Sequence, residues 1–207
     1  RERVIQAIEV CAQAWTGEPF TFEGRTVVVS PTPTQRPRPP ILMGGAAEAT
    51  ARRAAHIADG FDPAEPGLWE TFREECRTLG RDPGPWAPRG PTFLYVTHDP
   101  EAAWARVGPN LLHAANSYAR WIAGSAQGTS VWYPPIGSVD DLRAGGAYRI
   151  VTPADCVDIA QELGTEGHLI LRPLFGGMEP ADAWESLELF ENEVLPKLDV
   201  SPFGASS

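Results

Sequence analysis

Apolar positions along this chain fall into long stretches of helical spacing separated by short β-prone runs. Val4, Ile8, Cys11 and Trp15 recur at helical intervals and Gly17 follows as a stop signal, which predicts an amphipathic helix over residues 1–16. Phe20, Phe22, Val27 and Val29 flank Glu23-Gly24 on two short arms, the pattern of a hairpin whose glycine takes a positive φ. Pro31, Pro33, Pro37, Pro39 and Pro40 then make an extended connector that delivers the chain to the apolar run Ile41-Leu42-Met43. That run breaks at Gly44-Gly45 and enters an alanine-rich helix. Ala47, Ala51, Ala54, Ala55 and Ala58 form its small-residue face, with Arg52, Arg53 and His56 expected to point outward.

The same alternation continues. A second short strand follows Ala58-Asp59-Gly60, and Leu68, Trp69, Phe72, Cys76 and Leu79 mark a helix that stops at Gly80. Residues 92–97 are the clearest strand, and Asp99-Pro100 starts a helix carrying Val107, Leu111 and Ala115, with a kink or break expected at Gly108-Pro109. After a long segment over 124–146, Tyr148 opens another strand, and Thr152-Pro153-Ala154-Asp155 combines a capping hydroxyl, a first-turn proline and an acid. A strand is expected over 168–172, and Gly176-Gly177 precedes a last helix bearing Trp184, Leu187, Phe190 and Val194. Strands alternating with helices predict an α/β fold with a parallel sheet.

Composition narrows the function classes. The 207 residues are 43% hydrophobic and 21% charged, enough to build a substantial core, and contain no apolar run of membrane-spanning length. A net charge of -10 without a long basic run argues against a nucleic-acid surface. A cytoplasmic protein without membrane attachment is expected. Cys11, Cys76 and Cys156 are odd in number and far apart, which suits reduced, buried thiols on helical faces. His56, His98, His113 and His168 show no metal-ligand spacing, so no metal site is expected. The chain begins at Arg1 inside a helical pattern, and a preceding segment is expected.

Two glycine pairs remain as candidate chemistry, each directly after a predicted strand. The first N–H groups of a helix lack intrahelical partners and sit at the positive end of its dipole, so Gly44-Gly45 before the alanine-rich helix suits a phosphate. Gly176-Gly177 is a rival, because barrels also hold phosphate near their last strands. Arg172 offers a planar cationic fork at a strand end, and Trp132 with Tyr133 supplies aromatic surface from the long segment.

Ala14-Trp15-Thr16-Gly17-Glu18, Phe22-Glu23-Gly24, Pro39-Pro40-Ile41-Leu42-Met43-Gly44-Gly45, Arg53-Ala54-Ala55-His56-Ile57-Ala58-Asp59-Gly60 and Thr152-Pro153 together resemble the luciferase-like monooxygenase family. The resemblance implies a flavin- or deazaflavin-dependent oxidoreductase or monooxygenase, built as a TIM-like (β/α)8 barrel that binds FMN or a deazaflavin coenzyme. It places residues 1–207 as a single partial domain, the C-terminal half of such a barrel with a small β-hairpin insertion. The chain is expected to be inactive alone. Carried over by position, the family's phosphate contact falls on Gly44, Gly45, Ala46, Ala47 and Thr50; Arg172 and Trp132 are expected at the substrate pocket on their own side-chain chemistry. The family's ring-binding residues lie mostly on strands outside this chain, so no catalytic residue is assigned. The complete protein is expected to take a small-molecule substrate, with a homodimer among its expected states. Two alternatives stay open: a non-catalytic half-barrel binding or interaction module, and another phosphate-binding barrel enzyme using Gly176-Gly177.

Overall fold

The computed structural model describes residues 2–124 and 134–198, and its contacts divide the chain into two units, Arg1–Trp86 and Ala87–Ser207. In the first unit, helix α1 (Glu2–Ala14) precedes an antiparallel hairpin of β1 (Phe20–Phe22) and β2 (Arg25–Val27). Glu23 at φ 48° and Gly24 at φ 75° make the two-residue turn that matches the strands' own twist. Helix α1 buries none of its residues, which corrects one expectation: Cys11 is exposed, whereas Cys76 and Cys156 are buried.

Strand β3 (Leu42–Gly45) runs parallel to β4 (Gly60–Pro63), joined through helix α2 (Glu48–Ile57), and helix α3 (Gly67–Thr78) follows. The glycine pair does not break the strand as expected. Gly44 and Gly45 are its last two residues, opposite Asp62 and Pro63, and the turn is Ala46-Ala47. Ala51, Ala54, Ala55 and Ala58 are buried with Phe61, Phe72 and Cys76. Four small side chains let α2 approach closely, so the aromatic rings supply the apolar area, and the fully buried Phe72 alone contributes about 1.5–3 kcal/mol.

The second unit is built on β5 (Phe93–Val96) parallel to β6 (Tyr148–Val151). Phe93, Tyr95, Tyr148 and Ile150 pack on one face against helix α4 (Pro100–Ala123), while Leu94, Val96 and Val151 pack on the other against α6 (Pro153–Leu163). Burial on both faces explains why Phe93-Leu94-Tyr95-Val96 is continuously apolar. Helix α4 runs through Gly108-Pro109 rather than breaking there, because its buried stripe of Trp104, Val107, Leu111 and Ala115 is continuous across them. Gly108 lies against Val139 of the short helix α5 (Val139–Ala144), where a Cβ would meet the valine at 2.7 Å.

Residues 168–172 make only single bridges, Arg89 with His168 and Leu94 with Leu171, not the expected strand. The next donor along that edge of β5, the Val96 N–H, is taken at 2.8 Å by Ser186 Oγ of helix α7 (Pro180–Leu189). Helix α7 therefore buries Ala183 and Ser186 and leaves Trp184 63% exposed, contrary to the apolar stripe read from the sequence. No helix among the described residues is long and apolar enough to cross a membrane.

Candidate functional site

The junction between β3 and α2 gathers five of the expected site residues, Gly44, Gly45, Ala46, Ala47 and Thr50. Ala47 is the N-cap of α2, with extended φ -145° and ψ 146°, and no side chain accepts from the first turn. The Ala47 carbonyl receives the Thr50 and Ala51 N–H groups at 2.9 and 3.1 Å. Ala46, Ala47, Glu48 and Ala49 are exposed residues, and the first-turn N–H groups of a helix have no intrahelical partner. Helices α4 and α6 of the second unit begin differently. Asp99 accepts from Ala102 at the start of α4, and Thr152 with Asp155 forms a reciprocal capping box at the start of α6.

The two glycines have separate reasons to be glycine. A Cβ on Gly45 would overlap the Thr50 methyl, so packing within the chain already excludes a side chain there. At Gly44 the nearest atom to a Cβ is the Asp62 carbonyl oxygen at 3.7 Å, an ordinary contact, and the residue is exposed. Nothing inside the unit requires glycine at 44. What its absent side chain does provide is open backbone beside the uncapped helix start.

Charge around the junction is divided. Glu48, in the first turn, is paired with Arg52 at 3.7 Å, and Arg52 also reaches Glu75 at 3.3 Å. Arg53, expected to face outward, is half-buried, and its Nε has neither solvent exposure nor a hydrogen-bond partner among the described residues. At the other end of β3, Asp59 accepts from Arg38 at 2.5 and 3.1 Å and from the Ile41 N–H at 2.6 Å. The hydrogen bond from Arg38 holds the Asp59 carboxyl below the usual aspartate range, against the opposing effect of its partial burial.

The remaining candidates belong to the second unit. Arg172 is half-buried with its guanidinium 5.7 Å from the centre of the Phe175 ring, a cation–π arrangement that leaves its charge in place. Trp132 lies outside the described residues. Gly176 and Gly177 form a 3-10 turn with φ of 67° and 81°, and a Cβ on Gly176 would overlap the Asn110 carbonyl of α4. Backbone conformation and packing thus account for Gly176, and Glu179 as N-cap of α7 puts an acid where an anion would have to sit. Just past the end of β5, Thr97 is buried and His98 lies 3.1 Å from Glu193. A cavity of about 470 Å3, lined by Thr92, Ala115, Ile136, Leu142 and Tyr148 among others, opens at the N-terminal ends of β5 and β6, opposite the strand ends named above.

The family model of luciferase-like monooxygenases matches residues 1–158 of the 207. The chain belongs to the luciferase-like monooxygenase family. Within that family it is 30% identical over 112 residues to an F420-dependent hydroxymycolic acid dehydrogenase of Mycobacterium tuberculosis, a match spanning 50% of this chain and 31% of that protein. Among solved structures it resembles monooxygenase RslO1 from Streptomyces bottropensis, with a TM-score of 0.60 at 18% identity over 95% of this chain and 61% of that one. It also resembles the oxygenating constituent of 3,6-diketocamphane monooxygenase from Pseudomonas putida, solved in complex with FMN, with a TM-score of 0.56 at 16% identity over 95% and 63%. At such identities the structural likeness speaks for the fold. The chain spans less than two thirds of the length of each of these proteins. As a luciferase-like chain it joins α/β architecture and parallel strands to relatives whose names carry F420 or FMN.

The sequence pointed to the β3–α2 junction but missed two residues. Ser186 is a polar residue on the buried face of α7, a face that the apolar spacing of Trp184 and Leu187 does not mark. Arg53 likewise carried no signal, since only its burial distinguishes it from Arg52.

Proposed function

We propose that this chain supplies the phosphate-binding end of the cofactor site of a flavin- or deazaflavin-dependent oxidoreductase or monooxygenase, as the C-terminal half of a (β/α)8 barrel that acts on a small-molecule substrate. The observation that carries the reading is the start of α2: exposed residues, no side-chain cap, and a glycine at 44 that the described packing does not require. These features fit a phosphate, which needs close backbone approach and donors at the positive end of a helix dipole. FMN or a deazaflavin coenzyme would bring the redox chemistry itself.

In this reading the backbone at Gly44, Gly45, Ala46 and Ala47 holds the phosphate and orients whatever lies beyond it. Thr50 sets the width of the turn by packing its methyl on Gly45. Arg172 contributes to substrate binding, where its guanidinium, which no carboxylate of the described residues neutralises, attracts an anionic or strongly polar group. Substrate choice is set by loops rather than by the fold.

The test is FMN and deazaflavin titration of the protein expressed from its complete reading frame, comparing wild type with Gly44→Asp. A Cβ at 44 has room, so the variant keeps its fold while placing a negative charge at the phosphate position. Affinity is expected to fall by at least ~30-fold, about 2 kcal/mol. Unchanged affinity in a folded variant rejects the site.

A further inference from the structure

The Arg53 side chain has a buried Nε without an acceptor, while the other basic groups around it are paired. Arg52 bridges Glu48 and Glu75, His56 Nε2 lies 3.0 Å from Glu75, and Arg81 donates to the Ala55 and Ala58 carbonyls. The nearby carboxylates are therefore engaged, and no hydrogen bond or ion pair reaches Arg53 from the described residues. A buried donor left open is rare in native proteins, and an absent ligand or ion is one of its ordinary causes.

Position says where that ligand would lie. Arg53 follows Thr50 by three residues, so the two are neighbours on one helix face, and Thr50 packs on Gly45. Helical side chains lean toward the N-terminus, and the rise along α2 from Ala47 to Arg53 is about 9 Å. An extended arginine leaning that way covers most of this span. We infer that Arg53 is a cationic ligand of the cofactor phosphate, adding a charged fork to the neutral backbone donors at the start of α2. The inference rests on the cofactor reading above and adds to it a side chain that gives the site its charge. Without Arg53, the junction has only backbone dipoles to offer a dianion, and Glu48 opposes even those.

The experiment titrates the complete protein with two probes that differ only by phosphate, FMN and riboflavin, in wild type, Arg53→Met, Arg53→Lys and Gly44→Asp, each checked for folding by its thermal transition. A wild type that prefers a deazaflavin is titrated with that coenzyme and its phosphate-free riboflavin-like core. Arg53→Met is expected to weaken the phosphorylated probe ~10- to 100-fold and leave the phosphate-free one within about twofold. Arg53→Lys is expected to recover part of the loss, and the salt dependence of FMN binding to flatten in Arg53→Met. Equal losses for both probes, or no loss for either, overturn the inference; in those cases the Nε serves packing alone. If Gly44→Asp still weakens FMN while Arg53→Met does not, Arg53 is excluded and the phosphate reading stands. A wild type that binds no phosphorylated probe removes both.

Discussion

The start of α2 at Ala47 and the start of α6 at Thr152 both follow a parallel strand, yet they treat the same unpaired N–H groups in opposite ways. At Thr152 the hydroxyl accepts from the Asp155 N–H at 3.2 Å while the Asp155 carboxylate accepts from the Thr152 N–H at 3.2 Å and from its hydroxyl at 2.7 Å. At Ala47 no side chain replaces those partners. The strands differ in the same sense. Strand β6, which leads into α6, buries Tyr148, Ile150 and Val151, whereas Leu42 of β3 is 65% exposed and Gly44 beside it is open. A junction that satisfies its own backbone has nothing left for an anion, and one that does not can hand those donors to a ligand.

Removing the stronger cap should widen the contrast in stability and leave binding alone. Thr152→Ala is expected to cost about 1–2 kcal/mol in a urea titration, with FMN affinity of the complete protein within about twofold of wild type. A large loss of affinity would mean that the two junctions are not independent.

Adding a cap where none exists should do the reverse. Ala47→Ser gives α2 an acceptor for its first-turn donors and is expected to stabilise the protein by about 0.5–1 kcal/mol while weakening FMN several-fold, because the hydroxyl now competes for the same N–H groups. Stabilisation without any change in affinity would show that the phosphate uses other donors.

Acid should erase the difference gradually. Hydrogen bonds from the Thr152 hydroxyl and then its N–H hold the Asp155 carboxyl below the usual range. A lowered carboxyl contributes its full stabilisation above the ordinary aspartate value and loses it as pH falls through the lower folded value, so the loss lies on the acid side of about 4. Amide exchange at Thr152 and Asp155 is expected to accelerate there. The Ala47 cap cannot titrate, so a matching acceleration at residues 48 and 49 would point to global unfolding instead.

Much of this was legible along the chain. The capping box at Thr152, the hairpin at Glu23-Gly24, the alanine face of α2 and the apolar run of β5 rest on contacts within a few residues or on one face of one element, and each is found in the structure. The misreadings at Cys11, Gly108-Pro109, Trp184 and residues 168–172 all involve burial or pairing with distant partners. No periodicity in α7 announces that Ser186 will take the Val96 N–H, 90 residues away.

For the candidate site the division is similar. The sequence by itself determined that a strand would run into a glycine pair and an alanine-rich helix, because steric limits and apolar spacing act locally. Only the tertiary structure decided what each residue of that junction is for. Thr50 packs on Gly45, so that glycine answers to the chain's own packing; Gly44 meets no such neighbour, and Arg53 has its Nε buried without an acceptor among the described residues. Those distinctions depend on which atoms fold against one another, and close packing and desolvation exist only once the backbone has brought them together.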